Sequence, residues 1–422
     1  MSSKMKRILG IVAIILGVLV VVVGVAYVTL FPRPLNPPRE VGRLAELEAY
    51  LDDLAGHNPD SPPGLSLVVV KDGEIVYQKG FGMADGPKGI PATADTVYNT
   101  WSMVKPMTAL AVLQLHEQGR LDIDDPVADT LPFFDVEYPS ESSETVTIRH
   151  LLNHSSGLRN NVPEVLSWIH FDGDPEWNQT ELLQEQLPDY AKLAYEPGSK
   201  GVYTNVGYMV LAAIIEAASG QTYQQYMIDH IFEPLGMEQT SWTYTEATIS
   251  REAAGSSPTV DYQALMLPLL IDKEKRRALT REEVDGVTWF NRVYTDQKGP
   301  TGPISSATDV ARFVMAFLNE GELDGHRILS EESVALMTHE SHVLPGNTPE
   351  AASYKDHDQM VHGLGWYVVK NHTFFVAHSG GGPGFASDMR LYPDRELGMV
   401  IIANGTYLPR REILDLVASL DW

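Results

Sequence analysis

The longest uninterrupted apolar stretch comes at the start of the chain. Residues 8–31 carry no charge, are dominated by Ile, Val, Leu and Gly, and follow Lys4, Lys6 and Arg7. As a helix these 24 residues span roughly 36 Å, enough to cross a hydrocarbon core of about 30 Å with some tilt. The basic flank predicts a cytoplasmic N-terminus and export of everything after it, to the periplasm or the cell exterior. A cleaved signal peptide is the rival reading, with small residues at Gly24-Val25-Ala26. The run is longer than a usual signal core and continues past that site, which favours an uncleaved anchor. The expected organisation is an anchor or signal segment over residues 1–31, a Pro-rich linker over 32–40, and one domain over 41–422. The linker sequence cannot continue a helix and reads as a short, stiff spacer.

Beyond the linker the pattern changes period. Residues 43–54 place Leu44, Leu47, Leu51 and Leu54 on one side of a helix. A hairpin follows, with strands over 65–70 and 75–79 around the Asp72-Gly73 turn. From residue 101 to about 338 the texture is helical with long loops, and clear helices are expected over 107–118, 208–218 and 307–318. Strand patterns return over 364–369, 373–378, 388–392 and 398–403, before a closing helix over 410–420. Strands at both ends with helices between predict an α+β fold: one antiparallel sheet built from both chain ends, flanked by helices, with an inserted, mainly helical region. Residues 246–299 are the least legible. Within them the apolar run 265–271 precedes Lys273, Lys275, Arg276 and Arg277. That run reads as a buried helix with a solvated end; contact with lipid headgroups beside the anchor is the alternative.

Charge and composition narrow the function. The 422 residues carry 56 acidic and 31 basic side chains, a net charge of −25. Such a surface repels phosphate backbones, so nucleic acid is not expected as a partner. With no cysteine, disulfides, thiolate metal sites and cysteine nucleophiles are excluded.

Candidate chemistry begins at Trp101-Ser102-Met103-Val104-Lys105-Pro106. Pro106 fits only a first helical turn, which puts Ser102 at or just before a helix N-terminus and Lys105 one turn on, over the same face. A serine hydroxyl is a weak nucleophile until a base takes its proton, and an amine of lowered pKa is such a base. Alone the motif is weak: Ser3 to Lys6 repeats it in the cytoplasmic tail, and Ser is also a favoured helix cap. Two further motifs follow in order. Tyr203-Thr204-Asn205 is the chain's sole Tyr-x-Asn, and His378-Ser379-Gly380 its sole His-x-Gly, ending a predicted strand before Gly381-Gly382-Pro383-Gly384.

With these three motifs the chain resembles the serine β-lactamase and penicillin-binding family. It looks most like the branch of class C β-lactamases, D-alanyl-D-alanine carboxypeptidases, D-aminopeptidases and lactamase-like esterases. The matching text includes Leu151 to Leu158 (LLNHSSGL), Pro234 to Met237, Ser305 to Asp309 and Gly363 to Trp366, over most of residues 43–422. The resemblance implies a β-lactamase-like fold and an acyl-enzyme on Ser102, with Lys105 and Tyr203 sharing the proton work. It implies that Asn205 bonds the substrate amide and holds Lys105. The backbone N–H groups of Ser102 and Gly381 would form an oxyanion hole, and His378, Ser379, Gly380 and Gly381 would line the substrate strand. No metal and no organic cofactor are expected. The substrate is a small peptide of D-Ala-D-Ala type or an ester; a β-lactam is the alternative, and an inactive binding module a further one.

One departure matters. Many β-lactamases carry Lys at the third motif, a permanent cation for the substrate carboxylate, whereas His378 is expected to be charged only in part, with a rate that titrates around pH 6 to 7 if it is used. That favours peptidase or esterase members. His339, His342, His357 and His362, with Asp356 and Asp358, crowd one segment without a zinc spacing and read as a solvated loop cluster.

Overall fold

Side-chain alternation explains the central sheet. The structure, a computed structural model, describes residues 31, 33–159, 169–340, 343–344, 359–370 and 373–422. The expected membrane helix, up to residue 30, lies outside the described residues. Among the described residues no helix is long and apolar enough to cross a membrane.

The first helix, α1 (Leu44–Leu54), leads into β1 (Gly64–Lys71), β2 (Glu74–Asp85) and the short β3 (Ile90–Pro91). Asp72 and Gly73 both have positive φ, as a tight hairpin between right-twisted strands requires. The chain rejoins the sheet through β4 (Gln359–His362), β5 (Tyr367–Lys370), β6 (Phe375–Gly382), β7 (Phe385–Tyr392) and β8 (Leu397–Ala403). The resulting antiparallel sheet has the order β4-β5-β6-β7-β8-β1-β2-β3, with β1 and β8 joining the two ends of the sequence.

Central strands are buried on both faces, which is why their sequences read as continuous apolar runs. Leu65, Leu67 and Val69 of β1 pack with Met399 and Ile401 of β8 against α1 and the closing helix α5 (Arg410–Ser419). Val68, Val70, Val400 and Ile402 face the other way, into the larger core with three helices: α2 (Lys105–Glu117), α3 (Asn205–Ser219) and α4 (Ala307–Leu318). Asn404, just past β8, is wholly buried. Its side chain accepts from the Gly64 N–H and donates to the Met83, Ala84 and Ala254 carbonyls, tying both chain ends to the inserted region.

The structure corrects the sequence reading in three places. The inserted region is not helical throughout: Ser256–Pro258, Thr280–Val284 and Val287–Phe290 form a three-stranded sheet. The strand expected from residue 364 begins at Tyr367, because Gly363 to Trp366 make a turn with Gly365 at φ +84°, and β4 precedes that turn. Finally, helix Tyr262–Leu270 exposes Leu265, Met266 and Leu269 rather than burying its apolar run.

Candidate active site

Ser102 lies on a 3-10 turn, Trp101–Val104, that runs directly into α2. The turn starts from a strained residue. Trp101 is buried with φ +50°, a region that bulky side chains rarely enter. Neighbours hold it there: the Gly302 N–H donates to the Trp101 carbonyl at 3.0 Å, and the Thr100 hydroxyl donates to the Pro303 carbonyl at 2.6 Å.

From the first turn of α2, Lys105 reaches back into a dry interior and has no solvent exposure. Its Nζ lies 3.0 Å from Ser102 Oγ, 2.9 Å from Asn205 Oδ1 and 2.6 Å from the Pro300 carbonyl oxygen. Burial alone holds the amine well below the ordinary lysine range. A neutral amine satisfies this geometry fully. Its two N–H bonds serve the two carbonyl acceptors, and its lone pair is left for the Ser102 hydroxyl proton.

Asn205 opens α3, whose N-terminus is capped by Thr204 accepting from the Gly207 N–H. The cap orients the residues on either side of it, Tyr203 and Asn205. The Tyr203 ring lies beneath the amine, with its centroid 4.6 Å from Lys105 Nζ. His154 packs between Tyr203 and Tyr208 at 4.7 and 5.0 Å, and its Nδ1 accepts from the Thr204 N–H at 3.2 Å. A histidine accepting at Nδ1 is neutral, in keeping with the downward shift that burial imposes on it.

The third wall is the far end of β6. His378 stacks on Tyr367 at 5.1 Å and lies 6.2 Å from the Tyr203 ring. Its Nδ1 donates to the Ser379 carbonyl at 2.9 Å, and burial holds it well below the usual imidazole range. His378 is therefore neutral near pH 7. It supplies neither the partial charge nor the titration around pH 6 to 7 expected from sequence.

Beyond His378 the glycines let β6 press on the nucleophile's own backbone. A Cβ at Gly380 would overlap the Thr100 carbonyl oxygen, and one at Gly382 the Trp101 ring. Strand β5 pairs only with Phe375 to Ala377, so among the described residues the β6 edge from His378 to Gly382 has no strand partner on that side. Ser379 is half-buried along this edge and Gly381 is exposed. All eight sequence-selected residues are thus brought together around Ser102 and the β6 edge.

A family model described as Beta-lactamase matches residues 51–421. The chain belongs to the Beta-lactamase family. This is a family of serine hydrolases, and the relatives carry varied names. Penicillin-binding protein 4* of Bacillus subtilis is 29% identical over 354 residues, covering 80% of this chain and 67% of that protein. Protein flp of Staphylococcus aureus is 27% identical over 353 residues, covering 82% of this chain but 61% of its own length. This Beta-lactamase-family chain thus spans about two thirds or less of these curated relatives. Among solved structures, the octameric penicillin-binding protein homologue from Pyrococcus abyssi superposes with a TM-score of 0.68 at 24% identity, covering 89% of this chain and 76% of that one. The D-amino acid amidase from Ochrobactrum anthropi SV3 gives 0.69 at 22% identity, covering 89% and 98%. Both likenesses establish the shared fold.

Several site residues escaped the sequence reading. The Pro300 carbonyl lies just past the stretch, 246–299, that was least legible. His154 lies within the quoted LLNHSSGL text, but no signal marked it as a wall of the cleft. His362, read as part of a solvated loop cluster, is buried on β4 with its ring 5.3 Å from His154. His342, Asp356, His357 and Asp358 lie outside the described residues. Among the described residues no three His, Asp or Glu side chains converge as metal ligands would. Arg410, at the start of α5, donates from Nη1 to the Gly380 carbonyl at 2.7 Å, beside Gly381. A cavity of about 500 Å³ bounded by Asn99, Ile304 and Phe385 contains none of Ser102, Lys105, Tyr203 or His378. The charges on its wall are mutually paired, Asp85 with Arg281 and Lys88, Arg292 with Glu252 and Asp172.

The buried histidines predict an acid-sensitive fold. Burial holds His362 down at about 4, against an ordinary value near 6.5. Below pH 6.5 the unfolded chain takes up a proton that the folded chain refuses until about pH 4. Stability present above pH 6.5 is therefore lost across that window, at roughly 1.4 kcal/mol per pH unit for this one group. Relative to wild type, His362→Phe should gain stability progressively from pH 6.5 to 4.5 in urea denaturation. Parallel stability profiles for the two proteins would contradict the assignment.

Proposed function

We propose that this chain is a membrane-anchored, exported serine hydrolase that acylates Ser102 and cleaves a small peptide of D-Ala-D-Ala type. The observation that carries the reading is the buried Lys105 amine 3.0 Å from Ser102 Oγ, beside a strand edge that has no strand partner among the described residues. The substrate backbone lies along β6, in the manner of an added strand. The Ser102 proton passes to Lys105 Nζ as Oγ attacks the carbonyl carbon. The N–H groups of Ser102 and Gly381 take the oxyanion, where losing one donor typically costs about 3 kcal/mol. As the tetrahedral adduct collapses, the proton moves to the leaving amine by way of Lys105 or Tyr203. Water then attacks the acyl-enzyme and restores Ser102. The anchor reading rests on residues 8–31 and their basic flank, which put the catalytic domain outside the cytoplasm.

Peptide is favoured over neutral ester by Arg410. With His378 neutral, this guanidinium is a permanent cation at the β6 edge, bonded to the Gly380 carbonyl and 3.8 Å from the Asp388 carboxylate, and on this reading it takes the free carboxylate of a substrate lying past Gly380. A β-lactam also carries a carboxylate, so β-lactam hydrolysis is the second reading.

Intact mass after incubation with a penicillin tests the nucleophile. Wild type should carry an adduct that both Ser102→Ala and Lys105→Ala lack while keeping native circular dichroism. An adduct retained by Ser102→Ala would overturn the assignment. Drug hydrolysed to completion by wild type without an accumulating adduct would favour the β-lactamase reading.

For Arg410, KM is the readout. Arg410→Ala should raise KM roughly tenfold or more for a peptide with a free C-terminal carboxylate, the scale of one charge-assisted hydrogen bond, and leave the same peptide as its C-terminal amide nearly unaffected. Equal losses on both substrates would show that Arg410 serves the strand rather than the carboxylate.

A further inference from the structure

Helix Tyr262–Leu270 is the most apolar exposed feature among the described residues. Tyr262, Leu265, Met266 and Leu269 are 40%, 61%, 43% and 76% exposed, and their spacing of three, four and seven places them in one stripe. The opposite side is seated: Leu267 packs on a small cluster formed by Ile169, Ile271, Leu279 and Val293. At the start of the helix, Asp261 caps the Ala264 N–H and accepts from the Tyr407 hydroxyl. The helix is therefore fixed to the domain while its apolar stripe points away from it. Isolated exposed apolar side chains are ordinary, but four on one rigid face call for a covering partner.

The partner is indicated by what lies next to the stripe. Phe31, the last residue of the uncharged N-terminal run, stacks on Tyr262 with ring centroids 5.9 Å apart. The chain after Phe31 is strapped down rather than free. The Arg33 N–H bonds Asp60, the Leu35 N–H bonds Ser61, and the Tyr50 hydroxyl bonds the Leu35 carbonyl. The linker expected to be a spacer is thus bonded to the domain, and Phe31 lies at this helix. On the other flank, helix Lys273–Leu279 carries Lys273, Lys275, Arg276 and Arg277, with Glu274 and the capping Asp272 as its carboxylates, in a chain whose net charge is −25.

We propose that Phe31 and the stripe Tyr262, Leu265, Met266 and Leu269 insert into the outer interface of the same bilayer that residues 8–31 cross, with the Lys273–Leu279 helix on anionic headgroups. Apolar side chains beside a basic segment are the composition of an interfacial helix. The proposal rests on the anchor reading above and adds to it a second, rigid contact. A single spanning helix leaves a domain free to tumble above the membrane; a second contact fixes which face looks down, and so the height and direction at which the cleft meets its substrate.

The test uses the full chain in vesicles of phosphatidylethanolamine and phosphatidylglycerol, some with brominated acyl chains. Since the chain has no cysteine, Leu269→Cys and Val76→Cys each give one attachment point for an environment-sensitive fluorophore. Val76, on β2, is 47% exposed and serves as the solvent-facing reference. Co-flotation with vesicles, with bromolipid quenching several-fold stronger at 269 than at 76, is the expected result. Co-flotation with equal, weak quenching at both positions would overturn the docking and leave the anchor intact. A blue shift at 269 that bromolipid does not quench, and that grows with protein density, would overturn it in favour of a second copy of the chain. Failure to co-float would overturn the anchor reading, and the docking with it.

Discussion

An amine taken out of water organises this molecule. Lys105 has no solvent exposure, and its three nearest polar atoms are oxygens of Ser102, Asn205 and Pro300, which come from three separate parts of the chain. Neutral, it fits: two donors, two carbonyl acceptors and one lone pair toward the nucleophile. Much of the surrounding structure keeps that arrangement dry. Tyr203 and Tyr208 cover the amine, His154 is wedged between their rings, and His362, Tyr367 and His378 extend the aromatic wall. Because the cleft is walled by uncharged rings, its histidines resist protonation, and the same burial that tunes Lys105 makes the fold sensitive to acid.

The second constraint is backbone proximity. Catalysis of the proposed kind needs a strand edge and a nucleophile within one substrate's width. The glycines of β6 achieve this by removing the Cβ atoms that would strike Thr100 and Trp101. Trp101, in turn, adopts a left-handed backbone conformation that the Gly302 and Pro303 contacts around it help to sustain. Sheet, inserted helices and the 299–303 segment must therefore all be in place before Ser102 has its geometry.

Sequence made the frame legible where periodicity was strong. Helix α4 was read at its observed bounds, 307–318, because its apolar face repeats cleanly. Strands β1 and β8 announced themselves as short apolar runs since both of their faces are buried. Strand β4 was not readable, and β6 was read short, because glycine carries no pattern and its role depends on what it approaches. The three motifs found the polar groups that line the cleft, but their environment was silent in the sequence. Whether His378 is charged depends on burial by Tyr367 of the neighbouring strand and by Tyr203, which is distant in the chain. Pro300 acts through its carbonyl, which every residue has. Arg410 read as the first residue of the closing helix, and only the fold brings it to Gly380. The helix at 262–270 failed for the opposite reason: its composition looked like core, and the tertiary structure leaves it outside.

The central claim is that Lys105 is a neutral amine at physiological pH in the folded protein. A ¹³C NMR titration of the lysine ε-carbons, with Lys105→Met used to assign the signal, addresses it without any substrate. One resonance should move at a pH far below the usual lysine range near 10.4, and that resonance should be missing from the variant. If every lysine signal moved together near pH 10, Lys105 would be a charged ammonium, and the account of how Ser102 is activated would be wrong.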